Sequence, residues 1–513
     1  MDSNGDGIGD LQGIISKLEY IAELGVDAVW ISPFFTSPMR DFGYDVADYR
    51  GVDEIFGTLD DFDRLVEAAH RLGLKVIIDQ VYSHTSDQHA WFQESRQDQI
   101  NPKADWYVWA DPKPDGTPPN NWLAVFGGAS WSWDSRRGQY YLHNFLSSQP
   151  DLNVHNKDVQ NALLDVARFW LDRGVDGFRL DAINFTMHDL ELRDNPPAKL
   201  AQRSYRTFDF QQHKYNQSHP DIVRFLERLR SVIDGYPDRF TVAEIGGPDA
   251  LPELQAFTRG SKRLNSAYSF DYLYAESVDP EHIRRTSLDW PCDEMEGWPS
   301  WAFSNHDAPR FLSRWHDGSA PDAFSKLMAL LLLSLRGNAI VYQGEELGLP
   351  QAKVPFEKLQ DPEAIDNWPH TLGRDGARTP MCWLGEEPNA GFSTTEPWLP
   401  VDATHIERSA DRQTENPNSV LSFYKTAIRL RKNEAALRIG DITFLEAPED
   451  IVAFRRFTHT ESVLVVLNLS GETRTWLPNN ANGQILIATD GKNEGANLLA
   501  ELAPYTGYVA KLA

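Results

Sequence analysis

The feature that most limits how this chain folds is a set of short apolar runs, each ending on an acidic side chain. They are residues 76–79 (VIID), 177–181 (GFRLD), 241–244 (TVAE) and 303–307 (FSNHD). Runs of this length, separated by segments with helical periodicity, read as the buried parallel strands of an α/β fold. A carboxylate inside such a strand layer would lose its hydration, so the acids belong at the strand exits. In a parallel barrel those exits gather on one face, where active sites are built. Asp79, Asp181, Glu244 and Asp307 therefore converge on one pocket, and clustered carboxylates suit glycoside or acid/base chemistry.

The intervening segments fit this reading. Phe62, Leu65, Val66, Ala69 and Leu72 fall at helical spacing behind Thr58, a natural N-cap, and Val159, Ala162, Leu163, Val166 and Phe169 do so ahead of Gly174, a C-cap. Residues 11–24, 221–233, 323–335 and 419–431 read as further helices, and residues 27–34, 75–81, 266–272, 301–307 and 339–343 as strands. Residues 82–151 are too long and too rich in Pro, Gly, Trp and Asn for an ordinary strand-to-helix loop. From about residue 439 the pattern alternates, as in 462–467 (SVLVVL), which indicates a small antiparallel β domain. The expected division is a catalytic barrel (1–82 and 152–436), an inserted domain (83–151) and a C-terminal β-sandwich-like domain (437–513).

Residues 79–84 (DQVYSH), 177–181 (GFRLD), Glu244 in VAEI and residues 305–307 (NHD) resemble the four sequence regions of the α-amylase family of glycoside hydrolases, at its α-glucosidase and oligo-1,6-glucosidase end. Residues 149–153 (QPDLN), 342–348 (YQGEELG) and 373–383 (GRDGARTPMCW) carry the resemblance, in the family's order, over nearly the whole chain. It implies a (β/α)8-type TIM barrel with Asp181 as nucleophile, Glu244 as acid/base and Asp307 on the ring hydroxyls. Arg179, two positions before Asp181 on one strand, faces the same side and is expected to hold Asp181 ionised. Glu244, beside an anion in a less polar spot, is expected to keep its proton. The resemblance further places Asp41 and Arg378 as a clamp on the terminal glucose, Tyr44 stacked on that ring, and His84 and His306 on neighbouring hydroxyls. Phe126 and Phe145 are read as lining the entrance.

The implied activity is that of a retaining, exo-acting α-glucosidase on short neutral α-glucosides, with transglucosylation. Ala182 after the nucleophile tilts the linkage towards α-1,4, since relatives that prefer α-1,6 bonds tend to carry Val there. The alternatives are a sucrose hydrolase or isomerase of the same family and a catalytically silent scaffold.

Residues 2–10 (DSNGDGIGD) alternate oxygen side chains with glycines, the pattern of a loop around a hard cation. The resemblance makes Asp2, Asn4, Asp6, Asp10 and the Ile8 carbonyl ligands of a structural Ca or Mg ion; no organic cofactor is expected. Relatives carry an apolar first strand ahead of this loop, whereas this sequence starts one residue before it. The barrel is therefore expected to be incomplete at its first strand, with two edges to be covered by another segment or by a second copy in a homo-oligomer.

A net charge of -26 disfavours nucleic acid, anionic membranes and phosphorylated ligands, and leaves a neutral sugar as a suitable partner. Cys292 and Cys382, far apart in sequence, imply packed thiols in a reduced compartment. The longest apolar run, residues 327–333, is far short of a bilayer span, and no basic-then-apolar leader is seen, so a cytoplasmic location is expected.

Overall fold

The computed structural model describes the chain except residues 200–203, 205, 248–249, 291–296, 372, 480 and 513. Its strands begin with β1 (Ala28–Ile31) and β2 (Lys75–Val81), then β3 (Trp109–Ala110), β4 (Trp131–Asp134) and β5 (Gln139–Leu142). These are followed by β6 (Gly177–Asp181), β7 (Phe240–Ile245), β8 (Ser266–Ser269), β9 (Ser300–Ala302) and β10 (Asn338–Ile340). Parallel pairing runs β1-β2-β6-β7-β8, β9 and β10 pair in parallel, and a parallel bridge from Ala267 to Pro299 joins the two sheets. Strands β3, β5 and β4 form a separate antiparallel sheet between β2 and β6 in the chain.

Helices cover the outside of this curved sheet for reasons visible in their residues. Thr58 and Asp61 form a reciprocal capping box at the start of Leu59–Arg71, whose Phe62, Leu65, Val66 and Ala69 are buried. Asn156 caps Lys157–Asp172, and the buried Trp170 of that helix packs its ring at 4.9 to 5.5 Å from Phe62, Phe34 and Phe35. Burial of side chains this large contributes roughly 1.5–3 kcal/mol each, enough to hold a helix to its strands.

The register sets the site. Asp79 lies beside Arg179, and Arg179 beside Val242, while Glu244 lies beside Tyr268 two residues further along β7. All of β6, including Asp181 at its end, is buried.

Two expected elements differ. Residues 11–24 form two helices, Leu11–Ile15 capped by Asp10 and Leu18–Leu24, because Ser16 Oγ donates to the Gly13 carbonyl and Lys17 leaves helical geometry. The strand expected over 301–307 ends at Ala302. Asn305 Oδ1 accepts the backbone N–H groups of Asp307 and Ala308, which turns the chain and places Asp307 on a loop five residues beyond the strand.

The barrel is incomplete. Among the described residues β10 pairs with β9 and β1 with β2, with no strand joining β10 to β1. Ala28, Val29 and Trp30 of β1 and all three residues of β10 are only half-buried.

The C-terminal unit is an antiparallel sheet in the order Asp441–Phe444, Ile451–Phe457, Ser462–Asn468, Gly507–Leu512, Gly483–Ala488. One face (Ile451, Leu464, Val466, Tyr508) forms its own cluster, and the other (Val452, Phe454, Val463, Val465) joins the main core. Fully buried Arg456 donates to the Ser334, Gly440 and Asp441 carbonyls and so ties the sheet to the helix Pro321–Ser334. Cys382 is a buried free thiol; Cys292 lies outside the described residues. Among the described residues no helix is long and apolar enough to cross a membrane.

Two predictions follow from this architecture. We propose that the unpaired edges of β1 and β10 are covered by a second copy of the chain, so light scattering is expected to show concentration-dependent association; a monomer at every concentration would refute this. Separately, burial raises Glu345, just beyond β10, to about 7. An acid whose folded pKa exceeds its unfolded value binds more protons folded than unfolded. Its contribution to stability is thus fullest below about 4.5 and is lost as pH rises to about 7. Glu345→Gln is expected to flatten the decline of unfolding free energy between pH 5 and 8, by an amount on the order of 1–3 kcal/mol.

Candidate active site

A single guanidinium occupies the centre of the strand exits. Arg179 has no exposed surface; its Nη1 donates to Asp79 Oδ1 and to Asp181 Oδ1, each at 2.7 Å. Its Nη2 lies 2.5 Å from Glu244 Oε2, and Nε and Nη2 both donate to the Tyr268 hydroxyl, at 3.2 and 3.1 Å. The plane rests 4.9 Å from the Trp30 ring, whose Nε1 donates to Asp79 Oδ2 at 3.0 Å. A planar fork with five donors can serve several carboxylates at once. Asp181 and Glu244 take its two terminal nitrogens and are therefore held side by side.

A second pair of arginines forms the opposite wall. Arg378 Nη2 donates to Asp307 Oδ1 at 2.8 Å and its Nε to the His306 carbonyl at 2.6 Å. Arg374 Nη2 donates to Asp41 Oδ1 and to Asp361 Oδ1, both at 2.9 Å, with Arg374 Nη1 3.5 Å from Asp307 Oδ1. Of the two residues expected to clamp the terminal glucose, Asp41 is held by Arg374, and Arg378 holds Asp307. Residues Asp375–Arg378 form one helical turn, so side chains 374 and 378 emerge on one face, and their spacing alone does not tell which reaches Asp41. The other oxygen of Asp41 accepts from Gln149 Nε2 at 3.0 Å.

The remaining expected residues are all placed around these walls. The Tyr44 hydroxyl is 2.7 Å from His306 Nε2 and donates to Asp79 Oδ2 at 3.1 Å, and its ring lies parallel to His306 with centroids 5.5 Å apart. His84 is buried, with Nδ1 2.9 Å from Ser83 Oγ and Nε2 3.2 Å from both the Tyr44 carbonyl and Gln149 Nε2. Phe145 stands 5.0 Å from the His84 ring and 6.1 Å from Phe126, over which Arg374 sits at 5.0 Å. Arg374, Asp361, Gln149, Tyr268, Trp30 and Phe42, which lies 4.8 Å beneath Arg378, are site residues that sequence reasoning did not assign. Gln149 and Arg374 stood inside the matched motif stretches; nothing in the sequence singled out Tyr268 or Trp30, which the strand register brings in.

The family model for the alpha amylase catalytic domain matches residues 1–440. The chain belongs to the α-amylase family of glycoside hydrolases. It is 52% identical over 482 residues to a probable alpha-glucosidase of Rhizobium meliloti strain 1021, covering 92% of this chain and 87% of that protein. The solved structure of the alpha-glucosyl transfer enzyme XgtA superposes with a TM-score of 0.94 at 50% identity, covering 100% of this chain and 97% of the other. The trehalulose synthase MutB of Pseudomonas mesoacidophila MX-45 superposes with a TM-score of 0.90 at 32% identity, covering 100% and 96%.

In this member of the α-amylase family the acids share too few cations for all to ionise freely. Burial raises Asp181 well above the usual carboxylate range and raises Glu244 as well, with neighbouring anions adding to both and Arg179 opposing. Arg179, expected to hold Asp181 ionised, opposes the upward push of burial, while Asp79, Asp181 and Glu244 divide its one positive charge. Asp307 goes the other way: burial would raise it, but His306, Arg378, Arg374 and Arg179 hold it below the usual range. Burial drives His306 itself down to about 3, so at neutral pH the arginines supply that charge. His84 is likewise neutral, lowered by burial to about 4.

The glycine-rich loop at residues 2–10 offers oxygen donors throughout, which fits a hard cation. Asp2 already accepts from the Asn4, Gly5 and Gly7 amides and from Ser393 Oγ, which fills its lone-pair capacity. Asp6 accepts one donor on each oxygen, from Asn4 Nδ2 and the Ile8 amide, and Asp10 accepts from Ser3 and Gly13, so both retain room.

The two arginines are separable by stability. Arg374→Met strands Asp41 and the fully buried Asp361 and is expected to cost about 3–5 kcal/mol in urea unfolding. Arg378→Met faces an Asp307 side chain that is 24% exposed and is expected to cost less. The opposite order would refute the pairing.

Proposed function

We propose that the chain is a retaining α-glucosidase that removes one α-glucosyl unit from the non-reducing end of short, neutral α-glucosides. The observation that carries this reading is the placement of Asp181 and Glu244 on the two terminal nitrogens of Arg179. Retention needs two carboxyl groups roughly 5–5.5 Å apart, one to attack the anomeric carbon and one to protonate the departing oxygen. Two acids held by one guanidinium suit that spacing.

Proton distribution follows from the charges. With three buried acids around Arg179, full ionisation would leave two negative charges in excess, so the cluster retains a proton. In the reactive arrangement Glu244 holds it and delivers it to the glycosidic oxygen, and Asp181, paired with Arg179 Nη1, is the anion that attacks C1 and forms a covalent glucosyl ester. Glu244, now a carboxylate, removes a proton from water or from a sugar hydroxyl, which attacks C1 and frees Asp181. Attack by a sugar hydroxyl gives transglucosylation. Asp307, kept ionised by Arg378 and Arg374, accepts hydrogen bonds from ring hydroxyls that strengthen as positive charge builds on the ring.

The buried group of Asp41, Arg374, Asp361 and Gln149 closes one end of the site, which supports exo action on a single terminal glucose. Tyr44 and His306 form one stacked wall, His84 donates to the Tyr44 carbonyl, and Phe126 and Phe145 line the approach. A Ca or Mg ion is proposed at Asn4, Asp6, Asp10 and the Ile8 carbonyl, with Asp2 bracing the loop through its four hydrogen bonds; such an ion holds the loop and takes no part in bond cleavage. A second reading, action on sucrose by hydrolysis or isomerisation, is favoured by the likeness to the trehalulose synthase MutB, a mutant of which is solved in complex with the substrate sucrose.

Asp181→Asn and Glu244→Gln are each expected to lower kcat/KM on a chromogenic α-glucoside by at least about 10³-fold while the protein stays folded. NMR of the first product is expected to show α-glucose; β-glucose would overturn retention, and an unchanged rate in Asp181→Asn would overturn the nucleophile. Rates on maltose, isomaltose and sucrose side by side separate the linkages, with maltose expected to lead on the strength of Ala182.

A further inference from the structure

The proposed reaction leaves a group of imidazoles unused. His155 stands just before the helix Lys157–Asp172, and His219 and Asp221 just before the helix Ile222–Ile233. One donor atom from each of the three lies within 4.8 Å of the other two, and among the described residues no other trio of His, Cys, Asp or Glu does so. The His155 and His219 rings meet edge to face with centroids 4.8 Å apart, and His188 approaches His155 from another side at 5.2 Å.

Hydrogen bonding prepares one of these rings for a ligand. His155 Nε2 is 2.8 Å from the His188 carbonyl oxygen, which can only accept, so the proton sits on Nε2 and the Nδ1 lone pair is left free. Ligating histidines are held in this way, with the outer N–H on a backbone carbonyl. His219 Nδ1 is 4.0 Å from Asp221 Oδ2 and takes a 3.2 Å hydrogen bond from the Asp221 amide, a contact a cation would displace. The side chains of His219 and Asp221 are 22% and 43% exposed, so an ion has access from solvent.

We propose that His155, His219 and Asp221 bind a divalent transition cation of the Zn²⁺ class. Two imidazoles and one carboxylate favour Zn²⁺, Co²⁺ or Ni²⁺ over Ca²⁺ and Mg²⁺, which take oxygen cages, so this site is chemically distinct from the loop at residues 2–10. The bound ion joins the chain ahead of one barrel helix to the chain ahead of the next. Through the His188 carbonyl it also braces the segment that runs on from Asp181. Its role is that of a staple, with water at the open position.

The test uses the full chain after chelator treatment and dialysis. Titration with Co²⁺ is expected to give the intense visible absorption of a nitrogen-ligated, low-coordinate ion, and Zn²⁺ is expected to raise the melting temperature. His155→Gln and His219→Gln are each expected to weaken Zn²⁺ binding at least about tenfold in competition with a chromogenic chelator. Asp221→Asn, a partly exposed change that spares the packing of both rings, is expected to weaken it as well. Metal-free activity is expected to be the same in all three variants. Unchanged Co²⁺ spectra and Zn²⁺ affinity in the variants, or no binding by the parent chain at millimolar Zn²⁺, would overturn the proposal.

Discussion

The arrangement of this site depends on one buried charge. Arg179 has no contact with water, so its guanidinium is stable only while carboxylates surround it, and those carboxylates are tolerated in the barrel only because it is there. Asp79, Asp181 and Glu244 come from three neighbouring strands, and Tyr268 from a fourth. The interaction is therefore also a clamp across the parallel sheet. A sheet shifted by one residue would turn each of these side chains to the helix layer and strand the charge, so sheet register and catalytic geometry are coupled.

The electrostatics follow from a count of cations. Around Arg179 there are more acids than positive charges, which keeps a proton in the cluster; Asp307 is bonded to Arg378, which serves no other acid among the described residues, and has Arg374 near by, which keeps it ionised. These opposite outcomes arise within one site because Arg374 and Arg378 stand one helical turn apart and emerge on one face. General acid and permanent anion are thereby assigned by neighbours rather than by residue type.

How much of this was legible depended on whether an interaction was local. The strands, the capping box at Thr58 and the antiparallel C-terminal pattern are written in spacings of two and three to four residues. Asp181 stands at its strand's end, as the cost of burying a charge implied, whereas Asp79 and Glu244 lie buried inside β2 and β7 and are tolerated there because Arg179 balances them. Arg374 and Arg378 were both visible in one motif, but their partners lie in distant segments, and four-residue helical spacing points them the same way. Asp307 was expected at the end of a strand; the Asn305 side chain ends the strand early and carries the acid out on a loop. Tyr268 and Trp30 had no signal because their roles exist only once β8 and β1 lie beside β7 and β2.

By itself the sequence determined the α/β alternation of strands and helices and the order of the acids along the chain, since the first rests on hydrophobic period, while the barrel class and the acids' roles were carried by the resemblance of its motifs. Only the tertiary structure decided which cation serves which acid and which acids share a proton. Charge pairing and burial are properties of surroundings assembled from segments hundreds of residues apart, and no local pattern encodes them.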